Sequence, residues 1–391
     1  MKVSTDPHKI NELLTRGVEN IYPKKEFLEA RLKEGKPLTL YTGYDPTAPT
    51  LHIGHGITML KLRQFQDLGH KIIMLIGDFT GMIGDPTDKG SARQKLTREQ
   101  VLENCKLYKE QAASVLDFGG KNPVEVKFNS EWLGKLNFAD VLELSSHFTV
   151  QRMLERDMFE KRIKEEKPIY LHEFLYPMMQ GYDSVAMNVD GEVGGNDQTF
   201  NMLVGRDLMK ELKHKEKFVL TVKLLADDSG KKMGKTEGNM IAFSDSAEDM
   251  FGKVMRWTDG MIRSGFELCT RVEVPSEKDV KADPMKFKKL LAYEITKTFL
   301  GEKAAEKGRD HFASVIQDKE KPTDIPTLKP SSYDIVTVLV ESKMCSSKSD
   351  ARRAVEQGGV KINDDKAESI EATVKKGDII QKGKRFFVSI I

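Results

Sequence analysis

Three consecutive segments restrict the fold more than any other feature of the chain. Residues 37–45, PLTLYTGYD, run a β-prone apolar stretch into Gly43 and Asp45, with Pro46 behind them, the punctuation of a strand giving way to a loop. From His52 to Leu68 the apolar positions Ile53, Ile57, Leu60, Leu62 and Phe65 fit helical spacing, and Gly69 stops the pattern. Residues 71–76, KIIMLI, then read as a strand buried on both faces. Strand, helix and apolar strand in that order predict a parallel βαβ unit.

The cycle repeats. A helix is expected near Glu99 to Phe118, a strand near Val124 to Phe128, helices between Phe138 and Ile163, and a late strand over Val219 to Leu225. The expected fold is therefore α/β with a doubly wound, Rossmann-like parallel sheet over residues 1–245, where ligands bind at the carboxyl ends of the strands. Beyond residue 245 the pattern turns helical, best seen in DPMKFKKLLAYEITKTFL, with Asp283 as cap and Pro284 in the first turn. Pro322, Pro326 and Pro330 space out a linker, so the expected division is 1–245, a helical domain over 246–328 and a small α+β unit over 329–391.

A length of 391 residues agrees with more than one core. The 62 basic and 60 acidic residues nearly cancel, so any contact with a polyanion must come from local patches. Cys105, Cys269 and Cys345 are scattered, which argues against a disulfide framework or a structural zinc. With no apolar run of about 18 residues, the expectation is a cytoplasmic protein without a membrane span.

Two motifs carry chemistry. His52 and His55 stand three apart at a helix start, where both rings can meet the same oxygen atoms, and Gly54 removes a side chain between them. The helix start favours an anionic phosphate, and histidine donors aimed at an α-phosphate would stabilise charge growing there. About 180 residues later DSGKKMGKTEGN gathers Lys231, Lys232 and Lys235 among glycines; it lacks the spacing of a Walker loop. Alone, the commoner fate of such a run is a solvated basic turn. A third cluster, Gly84-Asp85-Pro86-Thr87-Asp88-Lys89 with Arg93, reads either as a phosphate-facing loop or as a surface excursion.

In this order the residues resemble the class I aminoacyl-tRNA synthetases, whose two signatures correspond to His52-Ile53-Gly54-His55 and Lys232-Met233-Gly234-Lys235-Thr236. Tyr41 through Pro49, Tyr176 through Asp183 and Gly194-Gly195-Asn196-Asp197-Gln198 narrow the resemblance to the bacterial tyrosyl-tRNA synthetases, over essentially the whole chain. The resemblance implies that tyrosine and ATP give tyrosyl-adenylate and pyrophosphate, with Mg2+ accompanying the ATP and no metal ligated by the protein. A tRNA(Tyr) terminal hydroxyl then takes the tyrosyl group. His52, His55, Thr47, Lys232, Lys235 and Thr236 would handle the phosphates, with Lys89 and Arg93 helping. Gly43, Asp45, Gly54, Asp197 and Gln198 would line the adenylate. Tyr41 and Asp183 would meet the phenol hydroxyl, and Asp85, Tyr176 and Gln180 the ammonium. Pro177 predicts a helix beginning there, with Tyr176 extended and Gln180 and Asp183 on one face.

At the carboxyl end Ser347 through Arg353 start like a capped helix, and the segment resembles a small RNA-binding domain, with Lys348, Arg352 and Arg353 as candidate contacts. Family resemblance also implies a homodimer in which the insertion between the sheet halves supplies much of the interface. Three other readings stand beside this one: a tryptophan-specific relative, a small nucleotidylyltransferase, which leaves the later domains unexplained, and a noncatalytic RNA-binding factor on a synthetase fold.

Overall fold

A computed structural model describes residues 2–85, 96–227, 230, 240–317, 325–383 and 386–391. The chain divides into two compact units, Met1–Arg309 and Asp310–Ile391.

The first unit is built on a six-stranded sheet of β1 (Val18–Tyr22), β2 (Thr39–Tyr44), β3 (Lys71–Ile76), β4 (Glu125–Phe128), β5 (Gly191–Gly195) and β6 (Phe218–Val222), in the order β1-β6-β5-β2-β3-β4. Strands β2 to β6 are parallel, and β1 is an antiparallel edge on β6. That edge strand was not foreseen: VENIY carries too little alternation to announce itself. The late strand is shorter than the expected Val219 to Leu225, ending at Val222. The long helix expected near Glu99 to Phe118 is two short ones, Arg98–Cys105 and Tyr108–Ala112.

Chain order reverses between β2 and β5, which makes their carboxyl ends the switch point of the sheet. The two strands pair only at Leu40↔Gly191 and Tyr41↔Glu192 before parting, whereas β2 and β3 pair over all six positions from Thr39↔Lys71 to Tyr44↔Ile76. A crevice opens where the pairing stops. On the other side of β5, Gly191 makes room for the Phe218 ring of β6, which a Cβ would approach to 2.1 Å.

The helix Ile53–Asp67 leaves the crevice from the end of β2. Lys61, on its buried side, donates to the carbonyls of Leu13 and Arg16, each at 2.8 Å, and so ties the amino-terminal helix Pro7–Thr15 to it. Burial pushes the Lys61 ammonium down to about 7.

The helix Leu171–Met187 runs through Pro177, correcting the expectation that it begins there. Its start is held six residues earlier: Glu173 accepts from the Tyr170 N–H at 2.9 Å and from Arg162 Nη2 at 2.9 Å, with both charged side chains almost fully buried. Continued packing on the helix Thr199–Lys213, where Gly181 meets Val204, Leu208 and Gly205, outweighs the one amide proton that Pro177 lacks. The helix Pro284–Leu300 begins as expected, with Asp283 accepting from the Lys286 N–H at 3.0 Å.

The second unit carries a five-stranded sheet of β7 (Thr327–Leu328), β8 (Val360–Ile362), β9 (Asp365–Lys366), β10 (Ile379–Lys382) and β11 (Phe386–Ile390), in the order β7-β11-β10-β8-β9. Its core joins Ile335, Leu339, Ala351, Val355, Ile380 and Ile390. Among the described residues no helix is long and apolar enough to cross a membrane.

Glu173→Ala leaves the Arg162 guanidinium buried without its carboxylate, a change that costs about 3 kcal/mol. Urea unfolding followed by circular dichroism should show the midpoint lowered accordingly, and an unchanged midpoint would mean that the pair does not hold the helix start.

Candidate active site

His52 caps the helix Ile53–Asp67 with extended backbone, φ −138° and ψ 171°, and its Nδ1 accepts from the Gly54 N–H at 3.1 Å. His55, in the first turn, accepts from the His52 N–H through its own Nδ1 at 3.2 Å. The rings stack with centroids 3.8 Å apart and 26° between planes. Since each Nδ1 is an acceptor, the proton of each neutral ring sits on Nε2, so both rings carry a donor on the side away from the helix backbone. Gly54 leaves the His52 ring its place, because a Cβ would stand 3.0 Å from it and push it aside.

Backbone bonds join this motif to the chain following the lysine loop. Ile53 N donates to Ile241 O at 3.0 Å, and Phe243 N donates to Leu51 O at 2.9 Å. On its other side the loop leaves from β6, beside β5. Lys232, Lys235 and Thr236 themselves, like Lys89 and Arg93, lie outside the described residues.

Asp45, at the end of β2, accepts from Thr80 Oγ1 at 2.7 Å and from the Tyr176 hydroxyl at 2.8 Å, which brings the helix Leu171–Met187 across the crevice. Thr47 follows in the turn, its N–H donating to Asp45 O at 2.8 Å. Gly43 leaves exposed backbone, where an added Cβ would meet only Leu75, at 3.9 Å. Across the crevice Asp197 folds back over Gly195, leaving no room for a Cβ.

One turn beyond Tyr176, Gln180 donates through Nε2 to Glu192 at 2.9 Å. Its Oε1 accepts from Asn201 Nδ2 at 3.0 Å, and the same Nδ2 donates to Gln198 Oε1 at 3.1 Å. Gln198 Nε2 in turn donates to Asp85 Oδ2 at 2.7 Å, and Arg156 reaches Asp85 Oδ1 at 3.4 Å. Asp85, Gln180 and Gln198 are thus brought into one chain of bonds.

Asp183 is buried. Its Oδ1 accepts from the Trp132 indole at 2.7 Å, and its Oδ2 from Asn129 at 3.3 Å. Burial pushes its carboxyl well above the usual range; these two donors oppose the rise, while the charges of Glu192 and Asp45 add to it. Tyr41 is also buried, its hydroxyl 2.9 Å from Ser184 Oγ and 3.4 Å from Gln180 O. Asn129, Trp132, Ser184, Glu192 and Lys217 were missed from sequence. The sequence offered no signal for the charged pair, since Glu192 stands among glycines in DGEVGG and Lys217 closes the charged run HKEK.

Tyr44 is buried with its hydroxyl 3.0 Å from Thr58 Oγ1. Among the described residues no cluster of three or more His, Cys, Asp or Glu is placed to hold a metal ion. In the second unit Ser347 caps the helix Lys348–Glu356, on which Lys348, Arg352 and Arg353 are exposed.

The stacked histidine pair thus stands at a helix start beside the switch point of the sheet. The model of the family "tRNA synthetases class I (W and Y)" matches residues 33–317. The chain belongs to that family. Residues 316–389 match the tyrosine-tRNA ligase SYY-like C-terminal domain. The chain is similar to the tyrosine-tRNA ligase of Thermotoga maritima, at 44% identity over 98% of each chain. That of Haemophilus ducreyi is 43% identical over 96% of each. Among solved structures, a truncated mitochondrial tyrosyl-tRNA synthetase of Coccidioides posadasii superposes with a TM-score of 0.65 at 25% identity, covering 77% of this chain and 91% of that one. The Archaeoglobus fulgidus tyrosyl-tRNA synthetase complexed with L-tyrosine gives 0.59 at 22%, covering 78% and 98%, a likeness of fold.

Gly54→Ala should leave helix stability within about 1 kcal/mol, because the better helix propensity of alanine offsets a weakened cap. It should nevertheless displace the His52 ring. Histidine ring proton shifts in NMR check this: unchanged shifts for His52 and His55 would show that the glycine is not what seats the pair.

Proposed function

We propose that this synthetase is a tyrosine-tRNA ligase. The observation that carries the reading is the buried Asp183 carboxyl, held by Trp132 and Asn129 on the helix whose Tyr176 reaches Asp45 at the end of β2. A buried acceptor there favours a side chain bearing a hydroxyl and rejects one lacking it, since the carboxyl would be left without that partner.

In the first step the tyrosine carboxylate, ionised at neutral pH, attacks the α-phosphorus of ATP in line, and pyrophosphate leaves. The nucleophile needs no protein base, so the residues act by positioning and by stabilising charge. ATP enters as its Mg2+ complex, the metal travelling with the substrate. His52 and His55 donate from Nε2 to the phosphate oxygens, joined by Thr47, Lys89, Arg93, Lys232, Lys235 and Thr236. The adenylate lies over Gly43 and Gly54, flanked by Asp45, Asp197 and Gln198. The ammonium of tyrosine meets Asp85, Tyr176 and Gln180, and its phenol meets Tyr41 and Asp183. In the second step the terminal hydroxyl of tRNA(Tyr) attacks the tyrosyl carbonyl and AMP departs.

The segment 246–328 is assigned to the anticodon arm, and the exposed Lys348, Arg352 and Arg353 to RNA phosphates. A second copy of the chain would cover the insertion, a reading supported by the exposure of Phe138, Leu142, Val150 and Leu171. The cytoplasm is the compartment this activity implies.

Pyrophosphate exchange into ATP, measured without tRNA against each of the twenty amino acids, should respond to tyrosine alone. Exchange with tryptophan would move the specificity to the sister branch, and none with any amino acid would remove the enzymatic reading. His55→Ala should slow adenylate formation about 100-fold, the scale of one lost donor to a transition-state oxyanion, while tyrosine affinity changes little. Equal loss of both would sink its transition-state role.

Arg352→Ala combined with Arg353→Ala should spare exchange and weaken tRNA charging, with a shallower dependence on salt because fewer counterions are released. Charging with an unaltered salt slope would take these arginines out of the interface.

A further inference from the structure

Behind the Tyr41 ring lies a charged pair to which no role has been given. Lys217, at the base of β6, and Glu192, in β5, are both buried, and Lys217 Nζ bonds to Glu192 Oε2. The ammonium stands 5.7 Å from the centroid of the Tyr41 ring. Its two other acceptors are Ser184 Oγ at 2.7 Å and Met202 O at 3.3 Å. Three donors therefore meet three acceptors.

That count orients the neighbouring hydroxyls. An ammonium has no lone pair, so Ser184 Oγ must accept from Lys217 and keeps its own proton to give. The partner at 2.9 Å is the Tyr41 hydroxyl, for which either atom can be the donor by geometry. If Tyr41 donated, the Ser184 proton would have no acceptor recorded among the described residues. If Ser184 donates, every proton is used, and that of Tyr41 is shared between Gln180 O, a long 3.4 Å away, and the Glu192 carboxylate.

We propose that Lys217 and Ser184 are positioning residues that polarise Tyr41 as a hydrogen-bond donor toward the substrate's phenol oxygen. The direction of donation runs from Lys217 through Ser184 to Tyr41, then to the phenol, whose own proton goes to Asp183. A para-hydroxyl is the group that accepts and donates at once, so the relay reads both capacities. Burial, with the charges of Glu192 and Asp183, raises the pKa of Tyr41 well above its ordinary value, so the phenol holds the proton it is to donate. Glu192 balances the Lys217 charge and accepts from Gln180 Nε2, which links the phenol end of the pocket to the ammonium end.

The inference rests on the tyrosine-activating reading, and the experiment separates the two. Ser184→Ala removes the middle of the relay, whereas Ser184→Thr keeps a hydroxyl. Tyrosine-dependent and phenylalanine-dependent pyrophosphate exchange are measured for the wild type and both variants, together with equilibrium tyrosine binding. Loss of one aligned hydrogen bond should raise the KM and Kd for tyrosine about 10-fold in Ser184→Ala. The KM for ATP and the exchange with phenylalanine should stay within about twofold, so tyrosine preference falls about 10-fold, and Ser184→Thr should recover most of it. Tyrosine KM unchanged in Ser184→Ala would overturn the relay, as would equal losses for tyrosine and phenylalanine, the mark of a merely structural role. Absence of tyrosine-dependent exchange in the wild type would instead overturn the activity, and the relay with it.

Discussion

The short pairing between β2 and β5 underlies everything the molecule can do. Two residue pairs, Leu40 with Gly191 and Tyr41 with Glu192, hold the strands together before they separate. Without that separation Gly43, Asp45 and Gly195 would lie inside a continuous ladder, and no ligand could approach their backbone. Because parallel strands carry their loops at matching ends, the parting gathers the histidine motif, the Asp45 turn and the Gly195-Asn196-Asp197 turn around one opening.

The crevice is lined by groups that are costly to bury, and the structure keeps them by satisfying them. Lys217, Glu192, Asp183 and Asn129 are each nearly inaccessible. A buried ion pair seldom adds net stability, since desolvation offsets most of the attraction. What it supplies here is direction: a residue with donors only, opposite one with acceptors only, decides which way the hydroxyls and amides between them point. The bonds from Asn201 to Gln180 and Gln198 do the same for the two glutamines.

Much of the scaffold was readable from residue order. KIIMLI is the strand Lys71–Ile76, the helix after His52 ends at Asp67 just before Gly69, and Asp283 with Pro284 opens its helix. These are local matters of periodicity and capping. Pro177 misled because a proline's preference for a first turn is a local tendency worth a few kcal/mol. The Glu173 and Arg162 pair and the packing of Gly181 on the following helix act from outside the segment and override it. The β1 edge strand escaped notice for a related reason: its partner β6 lies some 200 residues away, and pairing rather than pattern makes it a strand.

By itself the sequence determined that the chain would form parallel βαβ units, that a histidine pair would sit at a helix start and that a capped helix would display Lys348, Arg352 and Arg353, because spacing, glycine and capping chemistry act within a few residues. Only the tertiary structure decided that Trp132 and Asn129 hold Asp183, and that Asn201 sets two glutamines at once. It alone decided that Lys217 stands behind Tyr41. The first and last of those relations join residues 51 to 176 positions apart, and hydrogen-bond direction depends on where buried donors meet buried acceptors, which no pattern along the chain encodes.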